Sequence, residues 1–486
     1  MLAKQFILLL LFCLAFRTAN AQDRAVLPVP QQHRDSVVTF ASDLYKPNSF
    51  LRRVLMGNNY REEWKQYVTL PVFRFSASGF RIEELGGGMQ TKSLHLLDRH
   101  GKEWALRTVD KDVSEALPPG VRRTLVRRAS QDFISASFPY GAPIAGELVN
   151  AVGVTAARPN LFFVADDTAL GEYRSLFANT ICLLEERDPG FTSTDNIEEA
   201  VENITKSHAY KIQQPQLLRA RLMDMIMADW DRHSDNWRWG LKDSAGLKYY
   251  YGIPRDRDWV FFQSRGILPK LMRLSGGMRC FVNFSPDIKN IKDLSWKAWT
   301  MDKNFLNELT ASDWETAISV VQTLLTDSVI EASVRKMPAA IFAMEGQQFI
   351  STLKSRRDRL KQEVMKYYRF LSEEVLINGS NDEEVFQVSS VNDSLRITVY
   401  QRKQHLKIYE RIFSPEETYF ITINGLAGKD SFVVDSGVES KIRLILNGGE
   451  GLDSYQIKGK IRTRIMDTPA EQNLLETTGQ ARMRFE

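Results

Sequence analysis

The sequence predicts an α+β protein: a two-lobed body with a β-rich N-lobe and a helical C-lobe, followed by a small all-β domain. Three observations carry this reading. Polar and apolar residues alternate between about 80 and 112, as in half-buried strands, whereas from about 196 to 375 the apolar positions recur at helical spacing. Asn378-Gly379-Ser380-Asn381-Asp382 is a cluster of turn formers, and beyond it the period returns to two. The composition suits such a body. Of 486 residues 43% are hydrophobic and 26% charged, with 28 Gly and 17 Pro, which excludes a disordered, collagen-like or disulfide-scaffold chain.

Residues 1–21 read as a signal peptide. Lys4 supplies the basic start, 6–16 the apolar run, and Ala19-Asn20-Ala21 a small-x-small cleavage site before Gln22. The apolar run is too short to span a bilayer comfortably, and no later segment approaches about 18 consecutive apolar residues. The mature protein, cleaved after Ala21, is therefore expected to be exported, periplasmic or secreted, without a transmembrane span. Export points to envelope or outer-membrane proteins as partners. Lys plus Arg number 64 against 60 Asp plus Glu, a net charge of +4 that falls to +2 when Lys4 and Arg17 leave with the leader. That balance argues against a nucleic-acid partner. The mature chain keeps Cys182 and Cys280. Export permits a disulfide between them, although two lone cysteines are more often buried apolar residues.

Residues 22–79 form a mixed lead-in, packed on the lobe after it, with one dense patch at 57–64 (G-N-N-Y-R-E-E-W). In the N-lobe, 80–190, Gly86-Gly87-Gly88 precedes an alternating run at 91–97, a turn at 98–101 and a second strand at 104–109, together a hairpin. Residues 121–152 read as helical, interrupted by Pro139 and Pro143, and 161–165 and 181–184 as strands. The C-lobe, 191–377, begins with a helix at 217–230 in which Leu218, Leu222, Met225 and Ile226 share a face. Strands at 237–241 and 247–253 flank the turn 242–246, and Trp237 and Trp239 are expected in the core. Ser312-x-x-Glu315 reads as a capping box. The stretch 349–376 reads as an amphipathic helix whose Lys and Arg residues form a solvated face.

The β-domain, 383–486, shows strands at 395–400, 418–423 and 442–446. It also carries a repeat: Gly425-x-x-Gly428-x-Asp430-Ser431-Phe432 returns as Gly448-x-x-Gly451-x-Asp453-Ser454-Tyr455. Both turns are expected at one end of a sheet, with each Asp accepting N–H bonds and Phe432 and Tyr455 packed inward. The turns partly resemble calcium-binding nonapeptide repeats. Only 448–453 keeps most of that pattern, and two copies are not expected to stack a continuous coil, so structural Asp turns are preferred over calcium.

The densest polar constellation is Asp229-Trp230-Asp231-Arg232-His233-Ser234-Asp235-Asn236. Asp231 and Asn236 stand in D-x-x-x-x-N spacing, in which a carboxylate orients an acceptor hydroxyl and an amide oxygen holds a metal that bridges phosphates. The following hairpin leads to Pro254-Arg255-Asp256-Arg257-Asp258 and returns a second carboxylate to this loop. The D-R-H-S-D-N run at 231–236 resembles the D-R-H-N-D-N loop of phosphoinositide 3- and 4-kinases, within the atypical protein/lipid-kinase-like superfamily. Asp256-x-Asp258 resembles the D-x-D metal motif of secreted spore-coat kinases. The resemblance covers about 80–375. It implies a two-lobed protein-kinase-like fold and Mg²⁺- or Mn²⁺-dependent phosphoryl (or nucleotidyl) transfer from ATP or another nucleotide to an unidentified acceptor. It makes Asp231 the catalytic carboxylate, and Asn236, Asp256 and Asp258 the metal ligands.

The N-lobe adds to this. The Gly86-Gly87-Gly88 turn offers backbone N–H groups to phosphates. Arg107, in W-A-L-R, stands where kinases carry the Lys of V-A-I-K, and Lys111 follows four residues on. Either cation suits phosphate, Arg as a bidentate donor and Lys as a point charge. A helix carboxylate, Asp132 or Glu147, would orient it. The strand 181–187 ends in charge where a hinge would hold adenine, which adds Glu185 to the nucleotide-binding candidates.

Two other function classes compete. One is a catalytically inactive kinase-fold module for binding or assembly in the envelope, favoured by the scarcity of nucleotide triphosphate outside the cytoplasm. The other is a metal-dependent phosphoesterase built from Asp229, Asp231, His233, Asp235, Asp256 and Asp258. It is the more distant reading: the chain has six His, none in a G-D-x-H or G-N-H-[DE] setting, and neither H-E-x-x-H nor zinc-spaced cysteines.

Overall fold

The computed structural model describes residues 31–485 apart from 33–34, 47–48, 88–89, 122–124, 468–472 and 478–480. The predicted leader and Gly88 lie outside the described residues. The N-lobe strands are β1 (Gln31–Gln32), β2 (Ser36–Thr39), β3 (Val68–Phe73), β4 (Arg81–Gly86), β5 (Ser93–Leu97), β6 (Glu103–Thr108), β7 (Asn160–Val164) and β8 (Thr180–Glu186). They form one sheet in the order β1-β2-β3-β7-β8-β6-β5-β4. The hairpin of β5 and β6 pairs Ser93 with Arg107 and Leu97 with Glu103. On its other edge β6 sets Arg107 opposite Leu183 of β8. The segment read as a lead-in does more than pack on the lobe, because β1–β3 extend its sheet. Val37, Val68 and Leu70 are buried at alternating positions there, with Tyr45, Tyr60 and Trp64 beneath them.

Between β6 and β7 lie two helices, Leu125–Phe133 and Gly141–Ala151. Pro139 sits in the break between them. Pro143 does not interrupt the second, since it lies in the first turn, where no N–H is required.

The C-lobe centres on the helix Gln214–Met227, which is buried on nearly every side. It stops at Ala228, whose left-handed backbone (φ 53°, ψ 42°) reverses the chain, so Asp229 and Trp230 belong to a loop rather than to the predicted helix. A small sheet of β9 (Tyr210–Ile212), β10 (Trp237–Ser244) and β11 (Leu247–Pro254) follows, with the β10–β11 hairpin paired along its whole length. Trp237 and Trp239 are buried and stacked 6.3 Å apart. Two helix readings need correction. The helix Ala311–Leu324 is capped by Thr310, which exchanges bonds with Asp313 in the capping box, so Ser312 and Glu315 lie inside it. The basic stretch at 349–376 divides into Ala339–Asp358 and Leu360–Ser372, and its face is not uniformly solvated. Arg356 is fully buried and donates to the carbonyls of Ile226 (2.6 Å), Met225 (2.6 Å) and Ser285 (2.7 Å). The first two are end carbonyls of the central helix, which have no partner within it.

The β-domain comprises β12 (Glu374–Asn378), β13 (Glu384–Val391), β14 (Ser394–Gln401), β15 (Lys407–Phe413), β16 (Phe420–Ala427), β17 (Ser431–Val434), β18 (Arg443–Glu450), β19 (Ser454–Ile457), β20 (Thr463–Asp467), β21 (Leu474–Thr477) and β22 (Ala481–Phe485). Two sheets result, β12-β16-β18-β20-β22 and β15-β14-β13-β17-β19-β21. Apart from the antiparallel β13-β14-β15 meander, their pairings are parallel. The chain therefore coils, crossing between the sheets on each rung and landing on the rung before, with Phe420 beside Arg443 and Ser431 beside Ser454. This corrects the expectation that the repeat does not stack: rungs lacking the full motif extend the coil on both sides.

One such rung holds a third copy. Gly379, Glu384 and Phe386 keep the spacing of Gly425, Asp430 and Phe432. Glu384 N–H donates to Asp430 Oδ1 (2.8 Å), Asp430 N–H to Asp453 Oδ1 (2.8 Å) and Asp453 N–H to Asn473 Oδ1 (2.8 Å). The Asp430 and Asp453 carboxylates thus accept from the neighbouring rung, whereas the Glu384 carboxylate accepts from Ser380 Oγ (2.5 Å) and Ser380 N–H (3.2 Å) in its own turn. Behind this ladder the rings of Phe386, Phe432 and Tyr455 stack at 4.9 Å and 7° per step. The whole is a two-lobed α+β body with an appended all-β domain, and the body and the coil have separate apolar cores.

Candidate active site between the lobes

The central helix delivers the loop 229–236, and Arg232 ties that loop to the hairpin. Its buried guanidinium donates to the carbonyls of Arg255 (2.6 Å) and Asn236 (2.9 Å) and lies 4.9 Å over the Trp237 ring. Arg255 N–H donates back to the Asn236 carbonyl at 2.9 Å. The hairpin therefore ends beside the loop and returns Asp256 and Asp258 to the neighbourhood of Asp231 and Asn236.

Across the cleft these groups meet the N-lobe. Asp256 has a left-handed backbone (φ 54°), and its Oδ1 accepts from Arg107 Nη1 at 2.5 Å. The other arm of Arg107 reaches Glu185 Oε1 at 3.1 Å. Lys111 Nζ lies 2.7 Å from Asp258 Oδ2 and 4.2 Å over the Trp259 ring. On the far side of the loop Lys297 Nζ lies 2.5 Å from Asp231 Oδ1 and 4.6 Å over the Trp230 ring. Asn236 donates Nδ2 to the Asp231 carbonyl, which leaves Oδ1 as the acceptor its amide can offer. Gly86 ends β4 and Gly87 begins the turn to β5. Gly87 has φ 115°, and a Cβ on it would meet the Thr91 carbonyl at 2.5 Å, so the turn requires glycine there.

Neither expected helix carboxylate orients the cleft cations. Asp132 is held by Arg52 (2.5 Å) and Arg61 (2.6 Å), while Glu147 pairs with Lys336 (3.1 Å) and Arg158 (3.6 Å). Glu185 takes that role from a strand. Sequence reasoning also missed Lys297, which sits in a single 3-10 turn, Trp296–Ala298, with no motif around it. It missed the buried ion network behind the loop as well: Arg257 bonds Asp224 (2.6 Å) and Asp229 (3.2 Å), and Arg221 bonds Asp224 (2.5 Å) and Asp302 (2.9 Å). That network withdraws Asp229 from the surface, and Asp235 points to solvent with 71% of its side chain exposed. Of the residues of the phosphoesterase reading, Asp229 and Asp235 therefore do not join Asp231, Asp256 and Asp258.

The two carboxylates of the D-x-D differ. Burial pushes the Asp258 carboxyl up to about 7, and the neighbouring Asp256 adds to this while Lys111 opposes it. Burial acts on Asp256 in the same sense, but Arg107, Lys111, Arg255 and Arg232 outweigh it and hold its pKa below the usual range. Burial also lifts Asp229 to about 6 against the pull of Arg232 and Arg257, and lowers Arg255 to about 10 with help from Arg107.

With these pairs formed, the cleft at Arg107, Lys111, Glu185, Asp256 and Asp258 encloses a volume of about 30 Å³. Among the described residues no cluster of three or more His, Cys, Asp or Glu side chains is arranged to hold a metal ion. The donor chemistry nevertheless fits one. Asp256, Asp258 and the Asn236 amide oxygen are the hard oxygen ligands that Mg²⁺ and Mn²⁺ prefer, and both carboxylates already face a cation.

No protein-family model matches the chain, and no curated protein matches it. Among solved structures it is similar to the Helicobacter pylori proinflammatory kinase CtkA, at 12% identity over 61% of this chain and 98% of that one, with a TM-score of 0.33. It is similar to the Rio2 kinase of Chaetomium thermophilum in an ADP/Mg²⁺-phosphoaspartate complex, at 13% identity over 64% and 82%, with a TM-score of 0.26. A third is HipA of the Shewanella oneidensis MR-1 toxin–antitoxin system, in complex with HipB and operator DNA, at 12% identity over 74% and 79%, with a TM-score of 0.30. With scores this low, the fold assignment rests on the strand order, the hairpin and the cleft between the lobes. Among the described residues no single helix is long and apolar enough to cross a membrane.

Proposed function

We propose that this chain is an exported, kinase-like phosphotransferase that moves a phosphoryl (or nucleotidyl) group from a nucleotide bound with Mg²⁺ or Mn²⁺ to an acceptor in the cell envelope. The observation that supports it best is the pairing of charges across the cleft. Two N-lobe cations face two C-lobe carboxylates, at 2.5 Å for Arg107 with Asp256 and 2.7 Å for Lys111 with Asp258. A metal–nucleotide complex presents the complementary pair. Its phosphates suit Arg107 and Lys111, and its metal suits Asp256, Asp258 and Asn236 Oδ1. Binding would exchange each partner for another of the same sign, so no buried charge is left bare. The metal, when bound, neutralises charge on the phosphates. Glu185 keeps Arg107 aligned, the N–H groups at Gly86 and Gly87 would meet phosphate oxygens, and Asp231 would orient the acceptor hydroxyl.

A second reading, a non-catalytic envelope module, is favoured by the volume of about 30 Å³ at the cleft and by Arg107 in the place of a lysine. There the same ion pairs would be permanent clasps between the lobes. Thermal denaturation of the full chain with ATP and other nucleotides, with and without Mg²⁺ or Mn²⁺, separates the two. Ligand that binds the native state raises its midpoint by mass action. A metal-dependent rise that disappears in Asp256→Ala supports the phosphotransferase, and no rise with any nucleotide and metal leaves the scaffold.

A further inference from the structure

A cavity with a volume of about 620 Å³ lies away from the cleft, between the helical lobe and the β-domain. Its walls are largely apolar. Ile197, Val201 and Ile204 come from the helix Ile197–Lys206, Phe305 from the helix Trp299–Phe305, and Ile408 and Leu426 from the β-domain. At one end it is lined by His233, Ser234 and Lys297. This end is the catalytic-loop side, because Lys297 is the residue that holds Asp231 at 2.5 Å.

The β-domain is fixed in place around this chamber. Ser207 Oγ and His208 Nδ1 both lie 2.8 Å from Asp382 Oδ2, and Tyr409 and Arg411 donate to the Asn307 carbonyl at 3.1 and 2.7 Å. Lys211 Nζ donates to the Ile408 carbonyl. These bonds occupy backbone carbonyls that an extended peptide would need at the junction, while the apolar walls remain uncommitted. The volume falls within the range of about 300–1,000 Å³ typical of small-molecule sites, which combine apolar walls with a few polar groups.

We infer that this cavity is the acceptor site and that it takes a small amphipathic alcohol, with the apolar body in the chamber and the hydroxyl at the Asp231 end. The inference rests on the phosphotransferase reading. In the transfer, the hydroxyl oxygen forms a bond to the γ-phosphorus, the bond from that phosphorus to the β–γ bridging oxygen breaks, nucleoside diphosphate leaves, and the hydroxyl proton passes to the Asp231 carboxylate. The β-domain thus supplies one wall of a substrate site.

Calorimetric titration of the full chain with 1-hexanol, 1-octanol and 1-decanol tests this, alongside the metal–nucleotide thermal shift. Val201→Arg and Thr300→Trp place bulk at exposed lining positions. Saturable binding that strengthens with chain length is expected, weakened at least about tenfold in either variant, with the nucleotide shift retained. Alkyl phosphate should form from decanol and ATP in wild type and be lost in the variants. Absent or variant-insensitive alkanol binding overturns the inference, as does an acetylated apolar tripeptide that binds more tightly than any alkanol. Alkanol binding without transfer, in a chain that shows the nucleotide shift, overturns the acceptor assignment. Absence of the nucleotide shift in wild type is seen before any alcohol is added and tells instead against the phosphotransferase reading.

Discussion

Arg107 and Asp256, 149 residues apart in the chain, meet at 2.5 Å and join the end of the β6 strand to the second residue past the hairpin. Glu185 shares the same guanidinium at 3.1 Å. One cation therefore serves two carboxylates, Glu185 nearly buried and Asp256 partly open to water.

Arg107→Ala should leave Asp256 and Glu185 without their common partner. A stability loss of about 2 kcal/mol is expected from urea denaturation, together with loss of the metal-dependent nucleotide shift. Arg107→Lys should retain the shift with weaker affinity, because a point charge cannot replace a two-armed donor. An unchanged shift in Arg107→Ala would remove this residue from the phosphate site.

The acid ladder makes the β-domain sensitive to pH. Burial pushes Asp430 up to about 8, opposed by the Glu384 N–H bond and reinforced by the charges of Glu384 and Asp453. Burial likewise lifts Glu384 to about 7. The folded domain holds protons that the unfolded chain releases near pH 4, so its stability is greatest in acid and declines as pH rises to about 8. Asp430→Asn keeps an Oδ1 acceptor, as Asn473 supplies in the rung beyond Asp453, and should flatten the decline. Urea midpoints at about pH 5, 7 and 9 check this; a wild-type midpoint that rises with pH would contradict it.

Gly425 faces the ladder closely. A Cβ there would lie 2.2 Å from Asp430 Oδ2 and 2.5 Å from the Gly448 carbonyl, so Gly425→Ala should cost about 1–3 kcal/mol through overpacking. The same closeness fills the space beside the carboxylate with protein. A chelator is therefore expected to leave the β-domain's circular dichroism and melting unchanged, and a chelator-induced loss of β structure would make the ladder a calcium site after all.

Arg356→Ala should leave the Ile226 carbonyl without this donor, and the Met225 carbonyl with only a long bond from Ala228 N–H (3.5 Å), at the end of the helix that delivers the loop 229–236. A loss of at least about 2 kcal/mol is expected, along with faster amide exchange over 225–236. Arg356→Lys should rescue only part of it, since one ammonium cannot reproduce three bonds in a planar fork.

The parts of this molecule that were legible in its sequence are the ones written locally. The D-x-x-x-x-N loop, the hairpin behind it and the D-x-D lie within 28 residues of one another, and turn chemistry with strand alternation suffices to order them. The parts that were not legible depend on distant partners. Nothing near Arg356 distinguishes it from the exposed Lys and Arg of the same helices, since its closest partners are 71 to 131 residues away. Asp132 carries the expected charge on a helix, but Arg61 claims it before any cleft cation can. The third rung of the repeat was hidden for another reason: the meander through β14 and β15 widens its offset from 23 to 46 residues, and Glu384 replaces the Asp. Its spacing from Gly379 to Phe386 was nonetheless there to be read.

The coil also says something about how such a domain changes over evolutionary time. Because Ser431 lies on Ser454 and Phe432 on Tyr455, a segment from 425 to 447 can be duplicated or excised whole, and like residues still meet like. A cut one residue shorter would turn every later side chain of the strand to the opposite face and expose its aromatic stack. Insertions and deletions in this region are thus filtered by a modulus: lineages can gain or shed complete rungs, or loop out an excursion such as β14 and β15, while intermediate lengths are lost. The distance between the coil's far end and the cleft is correspondingly a quantity that descent can adjust only in steps.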